Sequence, residues 1–271
     1  MPSKILFNEE DKSTIIYEYS VNKSSLHKVA GMFGTYASVI LSNLRAWKIP
    51  TRNLSESKQV YELTHNIFEE IDSSEKAYWV GFLAADGCVT ESNRVSIGLA
   101  QKDAERVESF KKFVGSTHPL IITAKNKKHF GVRWSARSDK MVSDLSKYGI
   151  VSNKTFTITF GEGIPEKYLS SYLLGFFDGD GCIFINKNRY PRIVFVGSYA
   201  AMDQLNNHVA NALNVSPKKI VKINRGSSVG QLTYSRTNEV KALIKYMYAD
   251  CRTFMLRKKE LSDLALTLEV R

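Results

Sequence analysis

The stretch SSYLLGFFDGDGCIFI, residues 170–185, closes an apolar run with two aspartates one residue apart. A second stretch, AYWVGFLAADGCVTES at residues 77–92, aligns with it without a gap through the middle, so that Asp86 matches Asp180. Small residues in both runs allow two helix backbones to approach closely. The sequence therefore predicts two apolar helices that pack on each other, end at Asp-Gly and bring their C-terminal aspartates together.

The chain around these two runs repeats itself from residue 75 onward. After each Asp-Gly come an alternating segment, a helical run, two further alternating segments and a final helical run. We therefore predict an α+β fold of two pseudo-symmetric αββαββα half-domains, over residues 75–160 and 161–271. Residues 53–74, with polar punctuation around short apolar pieces, are interpreted as a linker.

Residues 1–52 have a different pattern, typical of a small all-α domain with a helix-turn-helix. Ala30, Gly34 and Ile40 have the spacing of that motif. The small Ala30 would let the two helices cross closely, Gly34 would make the tight turn, and Ile40 would anchor the second helix. Residues 36–46 would then form a recognition helix. A three-helix bundle that binds no DNA is the alternative. The side chains expected to face a major groove are those of Tyr36, Ala37, Ser38, Ser42 and Asn43.

The charge balance indicates a polyanionic partner. The chain has 38 Lys and Arg against 27 Asp and Glu, a formal net charge of +11, and its basic residues are spread along the whole sequence. On a folded protein such a surplus most often serves nucleic acid. A basic protein without such a partner is the alternative.

The cysteines and the termini point to a reducing compartment. Three cysteines make no disulfide framework and show no metal-ligand spacing, and Cys88 and Cys182, at matching repeat positions, are predicted to be small core residues. The N-terminus has no secretory pattern and the apolar runs are too short to cross a bilayer. We expect an intracellular protein with no membrane partner, cytoplasmic or nucleoid-associated, with an organelle left open.

The doubled aspartate predicts a cation. An aspartate in the last turn of a helix opposes the helix dipole, at a cost of roughly 0.3–1 kcal/mol, and two converging aspartates also repel each other. A divalent ion would compensate, because carboxylates and helix-end carbonyls are the hard oxygen ligands that Mg²⁺ prefers. In phosphodiester cleavage such ions activate water and stabilise the attacking and leaving oxygens. The alternative is a pair of ordinary Asp-Gly turns.

The segments WVGFLAADG (79–87) and LLGFFDGDG (173–181) resemble the paired LAGLIDADG motifs of homing endonucleases. The resemblance covers residues 75–271. It implies that the two half-domains form a saddle over double-stranded DNA, with the motif helices at their shared interface. The implied activity is that of a monomeric, divalent-metal-dependent endonuclease that recognises a long site and leaves 3′ overhangs.

The resemblance also implies site residues. The last acid of each motif, Asp86 and Asp180, would bind the ion with help from the carbonyls of Ala85 and Gly179. Mg²⁺ is the expected cofactor, with Mn²⁺ as a substitute and Ca²⁺ supporting binding without cleavage. Further catalytic candidates are a polar residue that positions water and a basic residue late in each half, namely Gln101, Lys154 and Lys258, with Ser198 at the second polar place.

The first motif departs from the family pattern at one position. It has Ala84 where many members carry another acidic residue, and the second motif keeps that residue as Asp178. This position is not the metal-binding one in the family. The two halves are therefore expected to keep activity but to contribute unequally.

The alternating segments predict sheets with one core face and one polar, basic face. Arginine pairs with guanine edges, while Lys and Ser often contact phosphates. The residues predicted to contact DNA from the first half are Arg94, Ser96, Lys125, Arg133 and Arg137. Those from the second half are Lys187, Arg189, Arg192, Lys222, Asn224, Arg225 and Arg236.

Two other functions share this scaffold. One is a DNA-binding regulator that has lost cleavage, and the other is an RNA maturase that acts on intron RNA. Retention of both aspartates argues against the regulator, because a scaffold freed from catalysis has no physical need for them. It leaves the maturase open, since that activity can coexist with cleavage.

Overall fold

The computed structural model forms two compact units, Met1–Glu62 and Leu63–Arg271. None of the helices it describes combines the length and apolarity that a bilayer crossing requires. The residues described are 7–52, 61–126, 129–152, 159–187, 189–223, 228–250 and 252–269.

The first unit is helical. Its elements are α1 (Glu9–Ile16), a π-helical turn (Tyr17–Val21), α2 (Leu26–Met32) and α3 (Ala37–Ala46). Asn8 begins α1 with a reciprocal capping box to Asp11. Gly34 has a φ of +60° in the turn between α2 and α3, a conformation that favours glycine. A small core holds the helices together and consists of Ile15, Tyr19, Val29, Ala30, Ile40 and Leu44.

The second unit opens with a half-domain built around a four-stranded antiparallel sheet. Its elements are α4 (Ser74–Asp86), β1 (Gly87–Val89), β2 (Arg94–Ala100), α5 (Ala104–Phe113), β3 (Ile121–Asn126), β4 (His129–Arg137) and α6 (Asp139–Ser146). The strand order is β1-β2-β4-β3. One face of the sheet packs Val95, Ile97, Val132 and Trp134 into the core.

The same plan follows a second time. Its elements are α7 (Leu169–Asp180), β5 (Cys182–Ile185), β6 (Pro191–Ser198), α8 (Tyr199–Leu213), β7 (Val221–Lys222), β8 (Val229–Tyr234), α9 (Thr237–Met247) and a further helix α10 (Leu256–Thr267). The strand order β5-β6-β8-β7 matches that of the first sheet. The predicted α+β fold of two αββαββα halves is confirmed, and α10 is added to it.

The two halves meet along α4 and α7, whose backbones touch. A Cβ placed on Gly81 would lie 2.0 Å from the carbonyl oxygen of Tyr172, and one on Gly175 would lie 1.9 Å from that of Tyr78. Only glycine fits at either place. Because each glycine meets the residue three positions before the other, the contact has two-fold pseudo-symmetry.

The segment predicted as a linker, residues 53–74, is divided between the two units. From Leu63 it belongs to the second unit, where Phe68 and Ile71 are buried in the core. Tyr148 donates its hydroxyl to the carbonyl of Phe68 at 3.3 Å. This stretch thus anchors the chain immediately before α4.

The prediction for two of the cysteines is wrong. Cys88 and Cys182 are free and exposed. Cys88 lies opposite Ser96 in the ladder and Cys182 opposite Val194, on the face of each sheet that turns away from the helices. Strand alternation places their neighbours Val89 and Ile183 in the core instead.

Candidate active site

The C-terminal ends of α4 and α7 lie against each other. A Cβ placed on Gly179 would come within 2.4 Å of the Ala85 Cβ and 3.3 Å of the Asp86 nitrogen. Asp86 is half-buried and Asp180 is exposed. The two carboxylates therefore leave adjoining helix ends, as predicted from the repeat.

Each helix stops because a glycine follows it in extended conformation. Gly87 has φ −73° and Gly181 has φ −76°, so neither is used for a left-handed turn. A Cβ would instead collide with the preceding helical turn, 2.5 Å from the Leu83 carbonyl oxygen or 2.6 Å from that of Phe177. Close approach, rather than positive φ, is what these two positions require of glycine.

The donor set fits a hard cation that also takes ligands from outside the protein. Mg²⁺ is commonly held by one or two carboxylates together with water and substrate phosphates. Asp86 and Asp180 are two such carboxylates, with the backbone carbonyls of Ala85 and Gly179 beside them. Across the described chain, no three His, Cys, Asp or Glu side chains gather closely enough to hold an ion by themselves.

Lys258 caps the end of α7. The side chain is buried, and its Nζ donates to the carbonyls of Phe177 at 2.6 Å, Asp178 at 2.8 Å and Gly181 at 2.6 Å. The Gly179 carbonyl lies at 3.5 Å. These include carbonyls that a helix leaves without internal partners, and a cation there is favoured by the helix dipole.

The sequence predicted that Lys258 lies at the site, but it did not predict that the side chain is buried. Lys258 does lie at the candidate site, next to the carbonyl of Gly179, but its ammonium is engaged with the backbone. Burial lowers the pKa of Lys258 to about 8, while the carboxylates of Asp178 and Asp86 oppose that shift. A positive charge thus stands beside the carbonyl predicted to help bind a metal.

Asp178 holds the segment that carries this lysine. The carboxylate is fully buried, and its Oδ2 accepts the Tyr78 hydroxyl of α4 at 2.8 Å and the Met255 backbone N–H at 2.6 Å. Met255 immediately precedes α10, three residues before Lys258. Burial raises the pKa of Asp178 to about 6, against the opposing influence of the Lys258 ammonium. Sequence reasoning gave Asp178 no role, although an acid in an apolar helix, unmatched at Ala84, was a signal.

The predicted water-positioning residue lies close in sequence to a contact between the two halves. Gln101 is exposed and begins a 3₁₀ turn after β2. Two residues later, Asp103 pairs with Arg257, with Nε–Oδ1 at 2.8 Å and Nη2–Oδ2 at 3.3 Å. Ser198 caps α8 by accepting the Ala201 N–H. Lys154 lies outside the described residues.

The face of the first sheet that turns away from the core is basic. Arg94 lies opposite Arg137 in the ladder, and Ser96 lies opposite Ser135. Arg133 donates its Nη2 to the Ser96 hydroxyl at 2.9 Å, which is why that serine is buried on this face. Arg137 also pairs with Asp139 at 3.7 Å. Lys125 is part of β3.

The predicted contacts of the second half are more scattered. Arg192 is exposed on the face of the second sheet that turns away from the core. Lys222 lies opposite Gly230 in the ladder, on the face that turns toward the core. Lys187 and Arg189 are exposed in the turn between β5 and β6. Arg236 precedes α9 and pairs with Glu239 at 3.4 Å. Asn224 and Arg225 are not among the residues described.

In the first unit, three of the predicted groove-facing residues are on the surface. Tyr36, just before α3, is 77% exposed. Ser38 and Ser42, one turn apart on α3, are exposed on the same side. Asn43 is half-buried and donates its amide to the Val39 carbonyl at 2.9 Å.

Comparison with known proteins gives structural neighbours. No protein-family model matches the chain. Curated proteins gave no match by sequence. The LAGLIDADG meganuclease I-AabMI bound to uncleaved DNA is 14% identical, with a TM-score of 0.47 over 69% of this chain and 87% of that one.

Two further structures match to a similar degree. Meganuclease I-SmaMI bound to uncleaveable DNA is 14% identical, with a TM-score of 0.48 over 69% of this chain and 88% of that one. The LAGLIDADG homing endonuclease I-GzeII in complex with its DNA target is 12% identical, with a TM-score of 0.47 over 70% and 88%. I-AabMI and I-GzeII bear the family name that the two motifs suggested.

Proposed function

We propose that the chain is a LAGLIDADG homing endonuclease that cuts both strands of a specific site in double-stranded DNA. One observation carries the proposal. The helices α4 and α7 touch through Gly81 and Gly175, and this contact delivers Asp86 and Asp180 to adjoining helix ends. Two acidic helix ends brought together at the junction of two half-domains are suited to a centre for phosphodiester hydrolysis.

The residues at this junction have separate tasks. A bound Mg²⁺ would activate water and neutralise charge on the phosphate oxygens. Asp86 and Asp180 would hold it with the Ala85 and Gly179 carbonyls, and Gln101 would orient water. Lys258 fixes the end of α7, and its buried positive charge offsets part of the negative charge of the acidic helix ends.

The surfaces around the site suit a polyanion. Arg94, Arg133 and Arg137 share one face of the first sheet, and Arg192 lies on the corresponding face of the second. The net charge of +11 favours association with phosphates. In this proposal the helix-turn-helix of the first unit lengthens the recognised site. One chain supplies both halves, so the enzyme acts as a monomer.

A randomised duplex library tests the proposal. With Mg²⁺ or Mn²⁺ we expect cuts at one set of related long sites, with short 3′ overhangs; with Ca²⁺ we expect binding without cuts. Sequencing of the cut ends and of the bound duplexes gives both results. Binding without cuts in Mg²⁺ would contradict the enzyme and favour the DNA-binding regulator.

The helix-turn-helix is tested separately. Deletion of residues 1–52 should shorten the protected footprint on the selected duplex and weaken binding, while cuts at the central position persist. Footprinting of the full chain and of the shortened chain measures the difference. An unchanged footprint would indicate that these helices form a three-helix bundle that does not contact DNA.

A further inference from the structure

The outward faces of the two sheets carry different side chains at equivalent positions. The ladders define the equivalence, because Cys88 pairs with Ser96 in the first sheet and Cys182 with Val194 in the second. Continuing along each ladder gives three matched pairs, which are Ser96 and Val194, Gly98 and Val196, and Arg133 and Gln231. We refer to these as the matched positions.

In the first sheet the matched positions support an arginine. Gly98 leaves open the space over which Arg133 lies, since a Cβ there would be 3.7 Å from the Arg133 Cγ. The Ser96 hydroxyl accepts one guanidinium N–H at 2.9 Å, which fixes the side chain while other donors stay available. An oriented guanidinium is the side chain best suited to the two acceptors of guanine in the major groove.

In the second sheet the matched positions are apolar around an amide. Val194 and Val196 are half-buried on the outward face, and Gln231 lies opposite Val196. The Gln231 amide donates to the Thr233 hydroxyl at 3.1 Å, which orients it. A glutamine amide pairs with adenine N6 and N7, and apolar side chains contact the thymine methyl group.

We propose that the matched positions read different base pairs, a G·C pair through Arg133 in the first half-site and an A·T pair through Gln231, Val194 and Val196 in the second. The inference rests on the proposed function in one respect, that these faces meet double-stranded DNA. Each good bidentate contact favours its base by about tenfold or more.

The experiment measures base preference by binding, with the full chain and a randomised duplex library in Ca²⁺. The wild-type protein should select a G·C pair at the position that Arg133 reads and an A·T pair at the equivalent position that Gln231 reads. Arg133→Gln should lose about tenfold of guanine preference at the first of these positions, and Gln231→Arg should gain guanine preference at the second. The control is Lys222→Gln, on the opposite face, which should leave both preferences unchanged.

A second variant separates base reading from charge. Arg133→Lys keeps the positive charge but loses the planar fork, so guanine preference should fall while the salt dependence of binding stays as in the wild type. Circular dichroism of each variant confirms that the fold is retained.

The outcomes distinguish the two proposals. If no duplex is bound in any divalent cation, the proposed function fails. If duplexes are bound but the two matched positions select the same base pair, or if the exchanges at Arg133 and Gln231 leave base preference unchanged, the inference about the matched positions is overturned and the endonuclease proposal stands.

Discussion

The two motif helices are nearly the same helix, and they differ most where an acid is present in only one. Both are apolar, pack through a glycine and end at Asp-Gly. Two residues before the last aspartate, α4 has Ala84 and α7 has Asp178, and both side chains are buried. Asp178 joins Tyr78 of the first half to Met255 of the second, so α7 holds a segment that α4 cannot hold in the same way.

That difference has a consequence for the candidate site. The helix end of α7 receives the Lys258 ammonium on three carbonyls, and the backbone before α10 is tied to Asp178. The compensating charge that the acidic helix ends require is therefore supplied in part by the protein itself on the side of the second half. Two features can therefore be tested separately: the aspartate that ends each helix, which both halves share, and the contacts of Asp178 and Lys258, which only the second half has.

The largest expected effect concerns the shared part. Asp86→Asn and Asp180→Asn should each reduce cleavage of both strands roughly a thousand-fold, because several kcal/mol of transition-state stabilisation would depend on the ion that the two carboxylates are proposed to hold. Duplex binding in Ca²⁺ should stay near normal. Asp263→Asn, on the exposed side of α10, is the control. Cleavage at the wild-type rate by either variant would contradict the metal assignment.

The next effect concerns the contact that brings the aspartates together. Gly175→Ala should lower the free energy of unfolding by about 3 kcal/mol, because the new methyl group would overlap the Tyr78 carbonyl oxygen. Gly81→Ala should do the same against Tyr172. Gly98→Ala, with ordinary contacts at 3.7 Å, should change stability little. Urea unfolding measures all three, and a wild-type value for both helix variants would refute the backbone contact.

A smaller effect isolates the asymmetry. Asp178→Asn should lower the free energy of unfolding by about 2 kcal/mol, because two hydrogen bonds to a buried carboxylate are weakened. Lys258→Met should also destabilise, and a double-mutant cycle should give a coupling of about 1 kcal/mol. Tyr78→Phe removes one of the two donors to Asp178 and should destabilise less than Asp178→Asn. Strict additivity would mean that Asp178 and Lys258 act independently.

The sequence predicted the features that the two halves share better than the contacts that distinguish the second half. The repeat and its period-2 segments are local patterns, and they predicted both helix ends and both sheets. The partners of Asp178 are 100 and 77 residues away, and the burial of Lys258 depends on where α10 docks, so no local pattern indicated either. The exposure of Cys88 and Cys182 could have been predicted, because each precedes an apolar strand residue that points into the core, and neighbouring strand residues point to opposite faces.

The smallest expected effect tests the exposure of Cys88 and Cys182, one in each half-domain. In a Cys251→Ser background, Cys88→Ser and Cys182→Ser should each change the free energy of unfolding by less than about 0.5 kcal/mol, as exposed strand positions do. Both thiols should react with a maleimide in the folded protein, and bound duplex DNA should slow both reactions if the outward faces meet DNA. A thiol that reacts only after unfolding, or a loss of about 2 kcal/mol in either serine variant, would place that residue in the core. Protection of one thiol alone would show that DNA is held mainly by the half-domain carrying it.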